Sequence, residues 1–216
     1  CRGVCGHGDC TLRYGEQRTN VGDVKTKEYG ATDPTFTYTI TTGSLVGSDS
    51  LSGSLSRVSG ESVGTYAIGQ GNLANSNYDI TYASANLSVT QHPITVTADA
   101  KSKEYGATDP TLTYAITTGS LVGSDTLSGA LSRTSGEDAG TYVIGQGSLA
   151  NSNYAITYVS ANLSVAQRAI TVTADAKSKE YGATDPTFTY AISSGSLVGA
   201  DSLSGSLGRA SGANVG

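Results

Sequence analysis

The sequence predicts an all-β chain made of small sandwich domains strung in tandem. Three observations carry that prediction. The string Lys-x-Lys-Glu-Tyr-Gly-Ala-Thr-Asp-Pro stands at 25–34, 101–110 and 177–186, in register at a spacing of 76 residues. Ser, Thr and Gly together make 85 of the 216 residues, about 39%, and 13 of the 15 aromatics are Tyr. Thr and Tyr suit half-buried strands, whereas Gly and Ser suit turns. Finally, apolar residues alternate with polar ones at a period of two, and no window carries the 3.6-residue period of an amphipathic helix.

The repeat sets the domain organisation. Residues 25–100 and 101–176 differ at only 15 positions, and a third copy runs from Lys177 to Gly216. A period of 76 exceeds the roughly 20–50 residues of most solenoid units and fits a small domain that folds nearly alone. We place an N-terminal Cys-containing flank at 1–16, the first repeat at 17–92, the second at 93–168 and an incomplete third at 169–216. Only Thr90-Gln91-His92-Pro93 and Ala166-Gln167-Arg168-Ala169 separate the repeats. Joints this short limit the angles between neighbours, so a stiff rod is expected. There is no Met in the sequence, so the chain reads as a piece of a longer polypeptide without an initiator or signal peptide.

In the middle repeat, Ile94–Ala98 alternates and opens the domain. Asp109-Pro110 leads into a strand over Thr111–Thr117, because Pro fixes φ and lacks a donor. Gly119–Asp125 is turn chemistry. Further strands are expected near Leu127–Arg133, Thr141–Ile144 and Tyr154–Val165, the last with a bulge or break at Ser160-Ala161-Asn162. The two copies assign the faces. Thr39/Ala115, Ala67/Val143, Asp79/Ala155 and Ala83/Val159 differ, and all sit on one parity. The opposite parity is identical at Tyr38/Tyr114, Ile40/Ile116, Tyr66/Tyr142, Ile68/Ile144, Tyr78/Tyr154, Ile80/Ile156 and Tyr82/Tyr158, with only Phe36/Leu112 exchanged. The identical parity is therefore the inner one.

Asp138-Ala139-Gly140-Thr141-Tyr142 matches the tyrosine corner of immunoglobulin-like sandwiches, in which the hydroxyl bonds back to upstream backbone. An ordinary turn followed by a strand is the other reading. Ile144 and Ile68 occupy the place of the inter-sheet cysteine, so aliphatic packing replaces a disulfide. The predicted class is thus a tandem array of Ig-like β-sandwiches.

Lys-Glu-Tyr-Gly near the domain start, Gly-Thr-Tyr-x-Ile-Gly-x-Gly in its middle and Asn-Tyr-x-Ile-Thr-Tyr near its end resemble the MBG domain of the YGX type. The resemblance covers about residues 25–216. It implies a mostly β fold occurring in tandem in large bacterial surface and secreted proteins, often adhesin-like, with no catalytic residues to transfer.

Candidate chemistry is sparse. Cys1, Cys5, His7 and Cys10 form Cys-x3-Cys-x-His-x2-Cys, four residues able to ligate zinc, although the spacing is not a standard zinc pattern. The flank of an upstream region is the simpler reading. The repeats contain no Cys and, apart from His92, no His; His92 becomes Arg168 in the next copy, so no repeated Ser-His-Asp site exists. Glu28, Asp33, Asp49 and Asp99, with Glu104, Asp109, Asp125 and Asp175, could supply paired carboxylates but fall in turn-like contexts. Calcium at the joints would need clustered acids, and only Asp99 and Asp175 lie nearby. A Lys–Asn isopeptide crosslink through Lys103 lacks an assignable acid. Asn86-Leu87-Ser88 and Asn162-Leu163-Ser164 are formal sequons that read as strand residues.

These readings exclude an enzyme and leave two functions. One is a structural stalk whose partners are the neighbouring domains of the same chain, without a cofactor. The other is a repeated weak module for a host glycan or protein, with Tyr29, Tyr105 and Tyr181 as the candidate ligand-binding residues. Those rings could equally cover the end of the sandwich. The net charge of −5 argues against nucleic acid, and no apolar run is long enough for a membrane helix.

Overall fold

The computed structural model describes residues 18–212. No helix forms among them. The first repeat holds β1 (Arg18–Gly22), β2 (Lys25–Glu28), β3 (Tyr38–Thr42), β4 (Ser56–Arg57), β5 (Gly64–Gly69), β6 (Ile80–Ala83) and β7 (Ala85–Thr90). The middle repeat holds β8 (His92–Ala98), β9 (Lys101–Glu104), β10 (Tyr114–Thr118), β11 (Ser132–Arg133), β12 (Gly140–Gly145), β13 (Tyr154–Val159) and β14 (Ala161–Ala166). In the third copy β15 (Thr171–Ala174) pairs with β16 (Tyr190–Ser194).

Each complete repeat forms two sheets. In the first they are ordered β3-β1-β6 and β2-β7-β5-β4; in the middle repeat the orders β10-β8-β13 and β11-β12-β14-β9 correspond strand for strand. Two strand pairs in each repeat are nearly continuous and pass from one sheet to the other, β1 into β2 and β6 into β7. Register repeats at the 76-residue offset: Tyr66 faces Leu87 and Tyr142 faces Leu163 in antiparallel pairs, while Lys25 and Lys101 face Leu87 and Leu163 in parallel ones.

The core follows the face assignment. In the first repeat Leu55, Ile68, Leu73, Leu87 and Val89 are buried, with Phe36, Tyr38, Tyr66 and Tyr82 packed against them. The second core gathers Ala98, Ile144, Leu163 and Val165 with Leu112, Tyr142 and Tyr158. All eight outward residues of the four differing pairs are exposed. The tyrosine corner forms in both copies: Tyr142 Oη donates to Asp138 O at 2.8 Å, and Tyr66 Oη to Ser62 O at 2.7 Å.

Several expectations are corrected. The strand expected over Thr111–Thr117 begins only at Tyr114. The Leu127–Arg133 strand contracts to Ser132–Arg133 plus a bridge from Ser128 to Ala150, because Gly129 turns the chain at φ 88°. Residues His92 and Pro93, expected as linker, open β8, leaving Gln91 alone between the strands of successive repeats. The polar Lys101–Glu104 is a strand after all, an edge of its sheet in parallel with β14. The break in the last segment falls at Ser160, where the chain changes sheets.

The first strand of the first repeat departs from the pattern. Ile94, Val96 and Ala98 of β8 are buried, and Arg18, Asn20 and Gly22 hold the same places in β1. Asn20 is only 1% exposed, and neither its amide nitrogen nor its oxygen has a hydrogen-bond partner.

The chain divides into two compact units, Cys1–Thr95 with Thr117–Ser128 and Ala150–Thr157, and Val96–Ile116 with Gly129–Leu149 and Tyr158–Gly216. Each unit contains one junction between successive repeats.

Candidate functional site

In the first unit, the junction starts from Tyr29 and Gly30 just after β2. The Tyr29 amide donates to Thr90 O at 2.9 Å, which pins the segment to β7. Its hydroxyl then reaches into the next repeat and donates to Asp125 Oδ2 at 2.8 Å. Tyr154 Oη donates to the same oxygen at 2.6 Å and accepts the Val122 N–H at 2.8 Å. The two tyrosine rings meet edge to face with centroids 5.6 Å apart. The His92 ring lies edge-on to Tyr154 at 6.0 Å, with Nδ1 3.5 Å from Glu28 Oε2.

Further bonds complete the contact with Ser152–Tyr154. Val63 N–H donates to Asn153 Oδ1 at 3.0 Å and the Gln91 side-chain Nε2 to Ser152 O at 3.1 Å, while His92 N–H at the start of β8 donates to Asn153 O at 3.0 Å. The charge distribution follows. Hydroxyls of Tyr154 and Tyr29 hold the Asp125 carboxyl below the usual carboxylate range. The bond to that carboxylate, and then burial, raise Tyr29; burial, and then the same bond, raise Tyr154.

The junction of the second unit repeats the design. The Tyr105 amide donates to Ala166 O at 2.8 Å, and the Asp201 carboxylate across the junction raises the tyrosine's pKa. A cavity of about 530 Å³ opens beside it, lined by Tyr105, Asp138, Ala139, Gln167, Arg168 and Asp201 among others. Their counterparts 76 residues earlier include Tyr29, Val63, Gln91, His92 and Asp125, which hold Ser152–Tyr154 in the first unit. The cavity is therefore the same inter-repeat slot. Tyr181, third in the series, is 76% exposed.

A second cluster lies inside each repeat. Lys103 Nζ is buried between Asp109 at 2.7 Å and Glu137 at 2.5 Å. Arg133 binds the same two carboxylates, reaching Asp109 through Nε at 2.5 Å, and stacks 5.3 Å over the Tyr142 ring. Lys27, Asp33, Glu61 and Arg57 form the same ring of charges in the first repeat. Arg133, then Lys103, holds the Asp109 carboxyl down at about 2. Asp109 and Glu137 are thus the acids that the sequence left unassigned beside Lys103, and as ion-pair partners of Lys103 and Arg133 they tie strand edges together.

The other sequence candidates fall apart in space. Asp99 accepts the Thr113 hydroxyl and Asp175 the Thr189 hydroxyl, both at 2.5 Å and both within one repeat. Among the described residues, no three His, Cys, Asp or Glu side chains gather as a metal site. Asn86 and Asn162 are exposed strand residues of β7 and β14. Cys1, Cys5, His7 and Cys10 lie outside the described residues. Of Tyr29, Tyr105 and Tyr181, the first two are half-buried at junctions. Sequence reasoning named Asp125 only as a carboxylate in a turn, and it missed Asp201 and Asn153 at the junctions. The available signal was that the turn Leu-Val-Gly-x-Asp is unchanged at 45–49, 121–125 and 197–201 except at x.

The family model for the MBG domain (YGX type) matches residues 20–88, 94–164 and 170–216. No curated protein and no solved structure matches the chain.

Proposed function

The chain belongs to the MBG domain (YGX type) family, and from that premise we propose that its repeats are non-catalytic spacer units of a large bacterial cell-surface or secreted adhesin-like protein. The observation that carries this reading is the bonded junction. Tyr29 of one repeat donates to Asp125 of the next, which Tyr154 also holds, and the Asn153 side chain accepts the Val63 N–H of the preceding repeat. With one residue between β7 and β8, such a contact sets the angle between neighbours and carries load from one to the next. A repeated glycan- or protein-binding module would need its tyrosines free, yet Tyr29 donates to Asp125 of the following repeat and Tyr105 is half-buried at the next junction.

The test is small-angle scattering on the whole chain and on the Tyr29→Phe/Tyr105→Phe variant, in calcium and in chelator. The spacer reading expects one narrow distribution of dimensions for the parent chain, unchanged by calcium, and a broader one for the variant. A parent chain as broad as the variant overturns it.

A further inference from the structure

We propose that the Tyr-Gly pair of each repeat is a docking surface for the next repeat, and that it selects a neighbour carrying Val and Asp in the turn Leu-Val-Gly-x-Asp. The inference rests on the junction geometry, and it stands or falls separately from the surface role proposed above.

The glycine is the telling residue. Gly30, Gly106 and Gly182 share φ values of 82°, 81° and 80°, so each turns the chain in the left-handed region. What surrounds them differs. A Cβ on Gly30 would stand 2.5 Å from Val122 Cγ2, and one on Gly106 would stand 2.5 Å from Val198 Cγ2. A Cβ on Gly182 would meet nothing within 4 Å. Close approach at this position is therefore made by the following repeat, not by the glycine's own. The tyrosine behaves likewise. Tyr29 bonds Asp125, 96 residues ahead, one full repeat plus 20 residues away, and Tyr105 lines one cavity with Asp201 at the same offset.

The receiving surface is preorganised within its own repeat. Tyr154 bonds Asp125 and Val122 N–H, and in the first repeat Tyr78 bonds Asp49 and Val46 N–H in the same way. Each of the two complete repeats thus presents a fixed valine and a fixed carboxylate backward and a Tyr-Gly pair forward, so docking is directional. A repeat lacking the carboxylate would strand the incoming tyrosine hydroxyl, and one with a larger residue than Val would collide with the glycine.

Hydrogen exchange by mass spectrometry on the full 216-residue chain tests this, because peptides of the first two repeats differ in mass. Gly30→Ala and Gly182→Ala impose the same backbone strain, and only the first adds a methyl group against Val122. Gly30→Ala is expected to speed exchange across 117–128 about tenfold, the effect of losing roughly one charge-assisted hydrogen bond. Gly182→Ala is expected to leave 117–128 unchanged, and Val122→Ala in the Gly30→Ala background to restore protection there. Tyr29→Phe should speed exchange at 117–128 and Asp125→Asn at 25–32, each across the junction. Changes confined to the mutated repeat, equal effects of the two glycine substitutions, or no rescue by Val122→Ala would overturn the proposal. Scattering that loses the narrow distribution while these cross-junction effects persist would count against the spacer role alone.

Discussion

Two strands in equivalent places, β1 and β8, show how unevenly a near-identical repeat can be built. In β8, Ile94, Val96 and Ala98 are 2%, 0% and 5% exposed, a continuous apolar face. In β1 the place of Val96 is taken by Asn20, just as deeply buried and unpaired. Tyr82 Oη of the first repeat is also buried without a partner, whereas its counterpart Tyr158 donates to Ile144 O at 3.1 Å. Both sheets nonetheless keep the same strand order. The shared strands, tyrosine corners and junction residues hold the fold, and β1 weakens it locally.

That contrast can be broken from either side. The largest effect is expected for Val96→Asn, which puts the amide of the first repeat into the second. Lost apolar burial plus an unpaired amide should cost about 3 kcal/mol in chemical denaturation. The converse, Asn20→Val, should stabilise the first repeat by about 2 kcal/mol and slow amide exchange in β3 and β6, the neighbours of β1. If Asn20→Val leaves both unchanged, the side chain is not the source of the difference.

A smaller effect belongs to the ring of charges that the two repeats share. Arg133→Ala removes the bidentate partner of Asp109 and should lower the urea midpoint by less than either β-strand substitution changes it, because solvent surrounds Asp109 and Glu137. The smallest and most gradual effect is expected from acid. Asp33 and Asp109 are held down at about 2 by Arg57 and Arg133 respectively, against an ordinary 3.8. A carboxylate lowered in the folded state stabilises fully above its unfolded pKa. That contribution should be complete above about pH 5 and disappear as pH falls through 4 towards 2, with the thermal midpoint falling in step. A midpoint flat across that window would mean that the ring contributes nothing measurable.

Much of this fold was legible because the chain writes it out more than once. Period-two alternation located β8, β12 and β13, and divergence between copies fixed the outer faces of β10, β12 and β13 at Ala115, Val143, Ala155 and Val159. The motif Asp138–Tyr142 located its corner, since the bond spans only four residues. What escaped was set by distant partners. Lys101–Glu104 is too polar to read as a strand, and its buried Lys103 is explained only by Asp109, Arg133 and Glu137 around it. The junction escaped for a related reason. Tyr29 bonds an aspartate of the next copy, and a repeating sequence gives no sign whether its contacts close within a copy or across copies. The chemistry of Tyr, Gly, Val and Asp was visible; their pairing needed three dimensions.

The central claim is that the junction fixes one repeat against the next. The most direct measurement is the spin–spin distance distribution between labels at the exposed positions Thr39 and Ser124, both in the first unit, with Cys1, Cys5 and Cys10 replaced by Ser. The account predicts a single narrow distance in the parent chain and a broad distribution after Gly30→Ala. A broad distribution in the parent chain, or the same narrow one after Gly30→Ala, would contradict it.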